Sequence, residues 1–162
     1  MDGGETQNSY TSKLIQVTEG EWAGWSYYPG GDPYEDLAGP FYYRIDERGP
    51  VCAFRAEHKH MNGGMFLHGG CVMTFADFCL FVIARDELND DHSVTATFNG
   101  EFVGTAHIGD LVECRGEVVK AGRSMIFVRG LITSKDEPVM SFSAVLKKRK
   151  PRTLRDRHTP PL

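Results

Sequence analysis

The chain has no Cys-x-x-Cys pair, no glycine-rich nucleotide fingerprint and no long uninterrupted apolar run, and each absence excludes a class of function. Cys52, Cys71, Cys79 and Cys114 lie singly inside apolar segments, which predicts reduced core thiols rather than a disulfide framework or a zinc site. Without Gly-x-Gly-x-x-Gly or a phosphate loop, nicotinamide-dependent redox and phosphoryl transfer lose their support. A membrane span needs roughly 18 consecutive apolar residues. The best candidate, "HGGCVMTFADFCLFVIA" (68–84), is broken by Thr74 and Asp77 and closed by Arg85 to Glu87. The opening "MDGGETQNSY" lacks the basic-then-apolar order of a secretion signal. These features predict a soluble, cytoplasmic protein with no membrane partner.

The 162 residues suit one domain, and a hydrophobic content of 41% gives it enough apolar surface for a core. The net charge of −4 is unevenly spread: Lys147 to Leu162 carries +6 and the rest of the chain −10. This basic tail reads as a solvated terminus or as an attractor for an anionic ligand such as a phosphorylated cofactor. It has no interleaved aromatics, so nucleic acid is not an expected partner. The organisation expected is an irregular N-terminal extension over 1–40, a core domain over 41–148 and a basic flexible tail over 149–162. Residues 1 to about 12 read as disordered, and Gly20 to Pro40 as an irregular aromatic cover with one short helix.

Two β-rich runs, Phe41 to Ile45 and Val51 to Glu57, flank the turn-like "DERGP" and predict a hairpin. Gly70 to about Glu87 is free of Gly and Pro after its first residue and is of helical length, with apolar residues most of the way round. Four long strands follow, near residues 93–103, 110–120, 124–134 and 138–148. Alternation is plain at Val112, Cys114, Gly116 and Val118, and again at Met140, Phe142, Ala144 and Leu146. Short breaks make the later strands antiparallel neighbours. Gly100 inside a strand marks a bulge or a close backbone approach. One helix that is apolar on most faces can be covered only by a sheet curved around it, so the expected class is α+β: a curved antiparallel β-sheet wrapped around one long central helix.

Asp77 sits in the middle of that helix. Moving an ionised carboxylate out of water costs several kcal/mol unless bonds or water compensate it. Either this face of the helix opens into a polar cleft or the acid makes a structural bond. Gly69 and Gly70 at the helix start let a ligand approach backbone N–H groups that carry partial positive charge, which suits a developing oxyanion. Asn62 could add a side-chain amide, or simply shape a turn. Asp77 lies about seven residues beyond the helix start, roughly 10 Å away, so one reacting carbon cannot touch both within a single chain. A two-fold dimer would bring them together. His58, His60 and His68 alternate on a strand and a glycine loop and make a poor metal set.

Asn62, Gly64, His68, Gly69, Gly70 and Asp77 in "NGGMFLHGGCVMTFAD" resemble the signature of hotdog-fold acyl-CoA thioesterases of the phenylacetic-acid-degradation (PaaI-like) type. The resemblance spans about Phe41 to Lys148 and continues in "SVTATFNGEFVGTAHIGD" and "KAGRSMIFVRG". It implies Asp77 as nucleophile or general base, and Asn62 and the Gly69 N–H as grips on the thioester carbonyl across a dimer interface. His68 would orient the loop or assist the leaving thiolate. Thr95 stands where some members place a serine that positions water. Gly70, together with Gly122, Arg123 and Ser124 of the "AGRS" turn, would meet coenzyme A, although "AGRS" reads equally as an ordinary hairpin turn. Trp22, Trp25, Tyr27 and Tyr28 depart from the minimal pattern, and either shape an acyl pocket or cap the fold.

The function expected is hydrolysis of a small or medium acyl-CoA thioester, aryl or short-chain, to free acid and coenzyme A. No cofactor or metal is required, since coenzyme A is part of the substrate. The expected assembly is a homodimer or a homotetramer. A non-catalytic acyl-CoA-binding or sensing hotdog protein is the rival reading, and hotdog hydratase chemistry is a third.

Overall fold

The computed structural model describes residues 14–88 and 92–149. The proposed disorder of the first dozen residues and all but the first residue of the basic tail lie outside that range. In chain order the elements are β1 (Ile15–Gln16), β2 (Ser26–Tyr27), α1 (Pro33–Ala38), β3 (Tyr42–Asp46) and β4 (Gly49–Arg55), followed by a 3-10 turn (His58–His60). Then come α2 (Gly69–Ile83), α3 (Arg85–Leu88), β5 (His92–Phe102), β6 (Leu111–Ala121), β7 (Met125–Ser134) and β8 (Glu137–Arg149).

All neighbouring strands pair antiparallel in one sheet of order β1-β2-β3-β4-β6-β7-β8-β5. The chain leaves β4, forms α2 across the sheet and returns as β5 at the far edge, where among the described residues only β8 pairs with it. The helix touches β4, β6, β7 and β8, so the sheet runs past it on several strands. This is the hotdog arrangement: an antiparallel sheet packed against a central helix.

The periodicities place the core. Val112 and Cys114 of β6, and Met140, Phe142, Ala144 and Leu146 of β8, are buried on the face toward α2. From α2, Val72, Phe75, Ala76, Cys79, Leu80 and Ile83 fill the concavity. Each large side chain buried there contributes roughly 1.5–3 kcal/mol. Phe75 meets Phe54 at 4.8 Å and Phe41 at 5.2 Å between ring centroids, in tilted and edge-on contacts that suit aromatic quadrupoles. All four cysteines are free thiols.

Three local expectations are refined. The long helix ends at Ile83, because Ala84 leaves helical geometry, and Arg85–Leu88 forms a separate short turn. The irregularity of β5 lies between Thr95 and Thr97, where pairing with β8 shifts by one residue, rather than at Gly100. Gly100 instead serves a close approach: a Cβ there would run into the methyl end of Met140. Residues 14–40 contain α1 and two short strands that extend the sheet. In α1, Asp32 caps the first turn and Pro33 occupies its first position.

Candidate active site

The buried positions of α2 leave one stripe open, formed by Gly70, Met73, Thr74, Asp77 and Phe81 at helical spacing. Met73 is 46% exposed and Asp77 is half-buried, so the acid interrupts the apolar sequence because its face of the helix is uncovered. From β5, the Thr95 hydroxyl donates a 2.6 Å hydrogen bond to Asp77 Oδ1. Thr95 is the residue just before the β5 bulge, which turns the strand locally and aims that hydroxyl at the helix. Among the described residues nothing donates to Asp77 Oδ2. The helix and the bulged strand thus hold a carboxylate with one oxygen fixed and one available.

Asp77 and Thr95 line a cleft of about 720 Å³. Its apolar floor is formed by Phe78, Phe81 and Val82 of α2. Its opposite wall comes from the N-terminal extension and includes Tyr28, Asp32 and Glu35. Tyr28 and Tyr43 share a 3.0 Å hydrogen bond between their hydroxyls, and burial together with that bond pushes the Tyr43 phenol up. Desolvation, helped by the neighbouring Asp32, Asp77 and Asp36 carboxylates, raises the Glu35 carboxyl to about 7. The aromatic cover divides its labour. Trp22 stacks on Tyr42 at 4.1 Å and Trp25 packs over Val51 and Ala53, whereas Tyr28 reaches the cleft.

A second group of predicted residues gathers at the start of α2. His68 is the N-cap, and its Nδ1 accepts the Gly70 N–H at 2.8 Å. That bond fixes the neutral tautomer with hydrogen on Nε2 and uses the Gly70 donor. Gly69 N–H, like that of Cys71, has no acceptor among the described residues and remains a free donor at the helix start. A Cβ on Gly69 would lie 3.3 Å from the Phe102 ring, so the β5 side chain rests close over the helix start.

Asn62 organises the preceding loop. Its Oδ1 accepts from Gly64 N at 2.9 Å and Phe66 N at 3.2 Å, while its backbone pairs with Phe66 O and Met65 N. Because both side-chain partners are donors, the carbonyl must face the loop and the amide NH2 must face away from it. The turn reading and the donor reading of Asn62 are therefore compatible.

Gly122, Arg123 and Ser124 form the exposed β6–β7 turn, a third location. Gly122 N–H donates to Met125 O, and Ser124 O accepts from Lys148 N. Strand register puts Lys147 opposite Met125 and Lys148 opposite Ser93, so basic residues gather at the end of the sheet that carries Thr95. His60 is a strut rather than a ligand. It is 3% exposed, its Nε2 binds Ala38 O at 2.8 Å and its Nδ1 accepts from Glu57 N at 2.9 Å.

The structure thus joins Asp77 to Thr95 and His68 to Gly70, and holds Asn62 in the loop that leads into the helix start through its bonds to Gly64, Met65 and Phe66. Sequence reasoning named Tyr28 as a candidate pocket residue but missed Glu35 and the pairing of Tyr28 with Tyr43. The only readable signal was the helix start in "DPYED", an aspartate before proline with acids behind it.

A hotdog sheet whose helix carries a half-buried carboxylate in a cleft and a free amide at its start defines a class of acyl-group-handling proteins. The chain belongs to the thioesterase superfamily, whose family model matches residues 60–141. A Pseudomonas aeruginosa protein named "Putative esterase PA0474" is 36% identical over 115 residues, 70% of this chain and 86% of its own. Among solved structures, the Escherichia coli PaaI protein from the phenylacetic acid degradation operon superposes with a TM-score of 0.64 at 17% identity, covering 74% of this chain and 86% of that one. A Streptococcus pneumoniae protein described as a "Hypothetical Thioesterase Protein" and solved with coenzyme A gives 0.61 at 17% identity, covering 70% and 88% respectively. At those identities the solved structures establish the fold. Among the described residues no helix is long and apolar enough to cross a membrane.

Proposed function

We propose that the protein is an acyl-CoA thioesterase that hydrolyses a small or medium acyl-CoA, aryl or short-chain, to free acid and coenzyme A. The observation that carries this reading is Asp77 held by Thr95 at 2.6 Å on the open stripe of α2. Asp77 supplies negative charge, as the base that takes a proton from attacking water or as the nucleophile itself. In the first case water oxygen bonds to the carbonyl carbon, the C–S bond breaks and the thiolate leaves. The carbonyl oxygen gathers charge and needs donors, which Gly69 N–H and the Asn62 amide offer.

Asp77 is eight residues from Gly69, about 12 Å along the helix, so the donors come from a second copy of the chain. The edge strand β5 supports that assembly. Its outer side has no strand partner among the described residues. Phe102 is 53% exposed, and Met73 and Phe66 add further apolar surface around the site. An open edge of this length is a template for pairing with an identical strand.

Coenzyme A would extend from the thioester toward the basic end of the sheet. From Thr95 to the 122–124 turn is two strand spacings, roughly 10 Å, across and about three residues, roughly 10 Å, along. Arg123 there offers a charge-assisted grip on phosphate, and Gly122 and Ser124 shape the turn around it. The belonging of the chain to the thioesterase superfamily, and a structural neighbour solved with coenzyme A, support the reading.

Release of free thiol from a panel of acyl-CoAs tests the proposal. Asp77→Asn should lose nearly all turnover while keeping its melting temperature. Full turnover in that variant, or tight acyl-CoA binding by the unmodified protein with no thiol release, would refute the hydrolytic role.

A further inference from the structure

The wall of the cleft opposite β5 is built by the chain's own N-terminal extension, and its chemistry bears on which acyl groups can enter. At the start of α1, the N-cap Asp32 and the first-turn residues Glu35 and Asp36 bring three carboxylates together. Asp32 Oδ1 accepts the N–H groups of Tyr34 and Glu35 at 3.0 and 3.1 Å. Asp36 accepts Gly30 N–H with both oxygens, at 3.0 and 2.9 Å. The Glu35 carboxylate accepts nothing among the described residues, and the residue is half-buried and lines the same cleft as Asp77. Its side chain is therefore free of any duty in holding α1 together.

The rest of the lining adds little compensating charge. Arg85 is the cation there; it lies close enough to Tyr43 to act on its phenol, and its Nε is 3.4 Å from Asp86 Oδ1. β5 contributes the hydroxyls of Ser93 and Thr95, and Tyr28 and Tyr43 contribute theirs. Asp32, Glu35 and Asp77 thus share the lining with the Arg85 guanidinium, and the nearest other cations by strand register are Lys147 and Lys148 of β8, paired with Val94 and Ser93.

We propose that Glu35 is a specificity-determining residue of this cleft, a charged filter that admits neutral acyl groups and rejects those ending in a carboxylate. The inference rests on the acyl-CoA thioesterase reading and names its substrate class. Like charges brought together in a low-dielectric cleft oppose binding strongly, and a repulsive element of this kind is a standard source of discrimination. The filter carries a signature that a purely structural residue would lack. Burial and the Asp32, Asp77 and Asp36 carboxylates raise the Glu35 carboxyl to about 7. Below that pH it is neutral and the filter weakens; above it the filter is charged and strong.

The test uses the full-length protein with hexanoyl-CoA and adipyl-CoA, which have the same carbon number and differ by a terminal carboxylate that is ionised throughout the range used. The quantity read is the ratio of their kcat/KM values by thiol release at pH 6 and pH 8. The expected ratio favours hexanoyl-CoA by at least about tenfold at pH 8 and shrinks by about threefold or more at pH 6. Glu35→Gln should lower the ratio at pH 8 and remove its pH dependence, whereas Glu35→Asp should keep both. Because a ratio is read on whatever enzyme is folded, partial misfolding of a variant does not mimic the result. Equal turnover of the two thioesters, a ratio indifferent to pH, or an unchanged ratio in Glu35→Gln would overturn the filter. If neither thioester is hydrolysed, the hydrolase reading fails instead, and the same ratios and pH shifts are then read from the two dissociation constants.

Discussion

Replacing Thr95 with valine removes one hydroxyl and keeps the branched shape that packs beside α2. The lost interaction is a 2.6 Å hydrogen bond to Asp77 Oδ1. A hydrogen bond to a charged acceptor is worth about 1.5–3 kcal/mol, and about 1.4 kcal/mol is tenfold in rate. Thr95→Val should therefore reduce kcat/KM about ten- to a hundredfold, chiefly through kcat, because the bond orients the carboxylate rather than the substrate. Thr95→Ser restores the donor and should stay within about fivefold of the parent, the margin being the freedom its smaller side chain gains at χ1. The assay is continuous thiol release under saturating and limiting acyl-CoA, with thermal melts to confirm folding. A valine variant with undiminished kcat would show that the Thr95–Asp77 bond has no part in the chemistry.

Asn62→Asp keeps an acceptor for the Gly64 and Phe66 N–H groups but exchanges the amide donor for a negative oxygen. Loss of one donor to a developing oxyanion costs roughly a hundredfold or more in turnover, with the melting temperature little changed; Asn62→Ala should lower both. Wild-type turnover in the aspartate variant would remove Asn62 from the carbonyl site. His60 gives a pH prediction. Its burial pulls its proton affinity below the ordinary value of 6.5, so the stability it contributes is complete above that pH and is lost as pH falls through the lower folded-state value. Glu35, held at about 7 against 4.5, works in the opposite sense, its burial costing stability as pH rises between those values. The His60 contribution is therefore read as the difference in melting temperature between the parent and His60→Gln, which should narrow as pH falls from 7 to 5. A difference constant with pH would contradict it.

The parts of the fold that were legible in the sequence are those with a strong period. Strands β6 and β8 announce themselves because one face must meet α2, as Met140, Phe142, Ala144 and Leu146 do. The helix was legible from its length and its lack of breakers, but its end was placed too late, since nothing in "IARDEL" forbids another turn. The β5 bulge left no mark because no special residue stands at Ala96, while of the two readings of Gly100 it is the close approach that holds, against Met140. At the site, Asp77 was visible as a charge out of place. Its contact with Thr95 joins residues eighteen apart in sequence and follows only from how β5 lies beside α2. The resemblance singled out the Gly69 amide, but that His68 takes the Gly70 amide and leaves that of Gly69 follows only from the cap geometry. Glu35 was invisible for a deeper reason: its role depends on where α1 docks, which no local pattern encodes.

A shared site assembled from two copies of the chain is tested most directly by mixing two inactive proteins. Asp77→Asn and Asn62→Asp each spoil every site in their own homodimers. If the carboxylate and the amide come from different subunits, each mixed dimer contains one intact site and one doubly damaged site. Equal mixing after dissociation and reassociation should then recover about a quarter of parental thiol release, since half the dimers are mixed. If the mixture stays as inactive as its components while exchange of subunits is demonstrated by mass, the cross-subunit site does not exist.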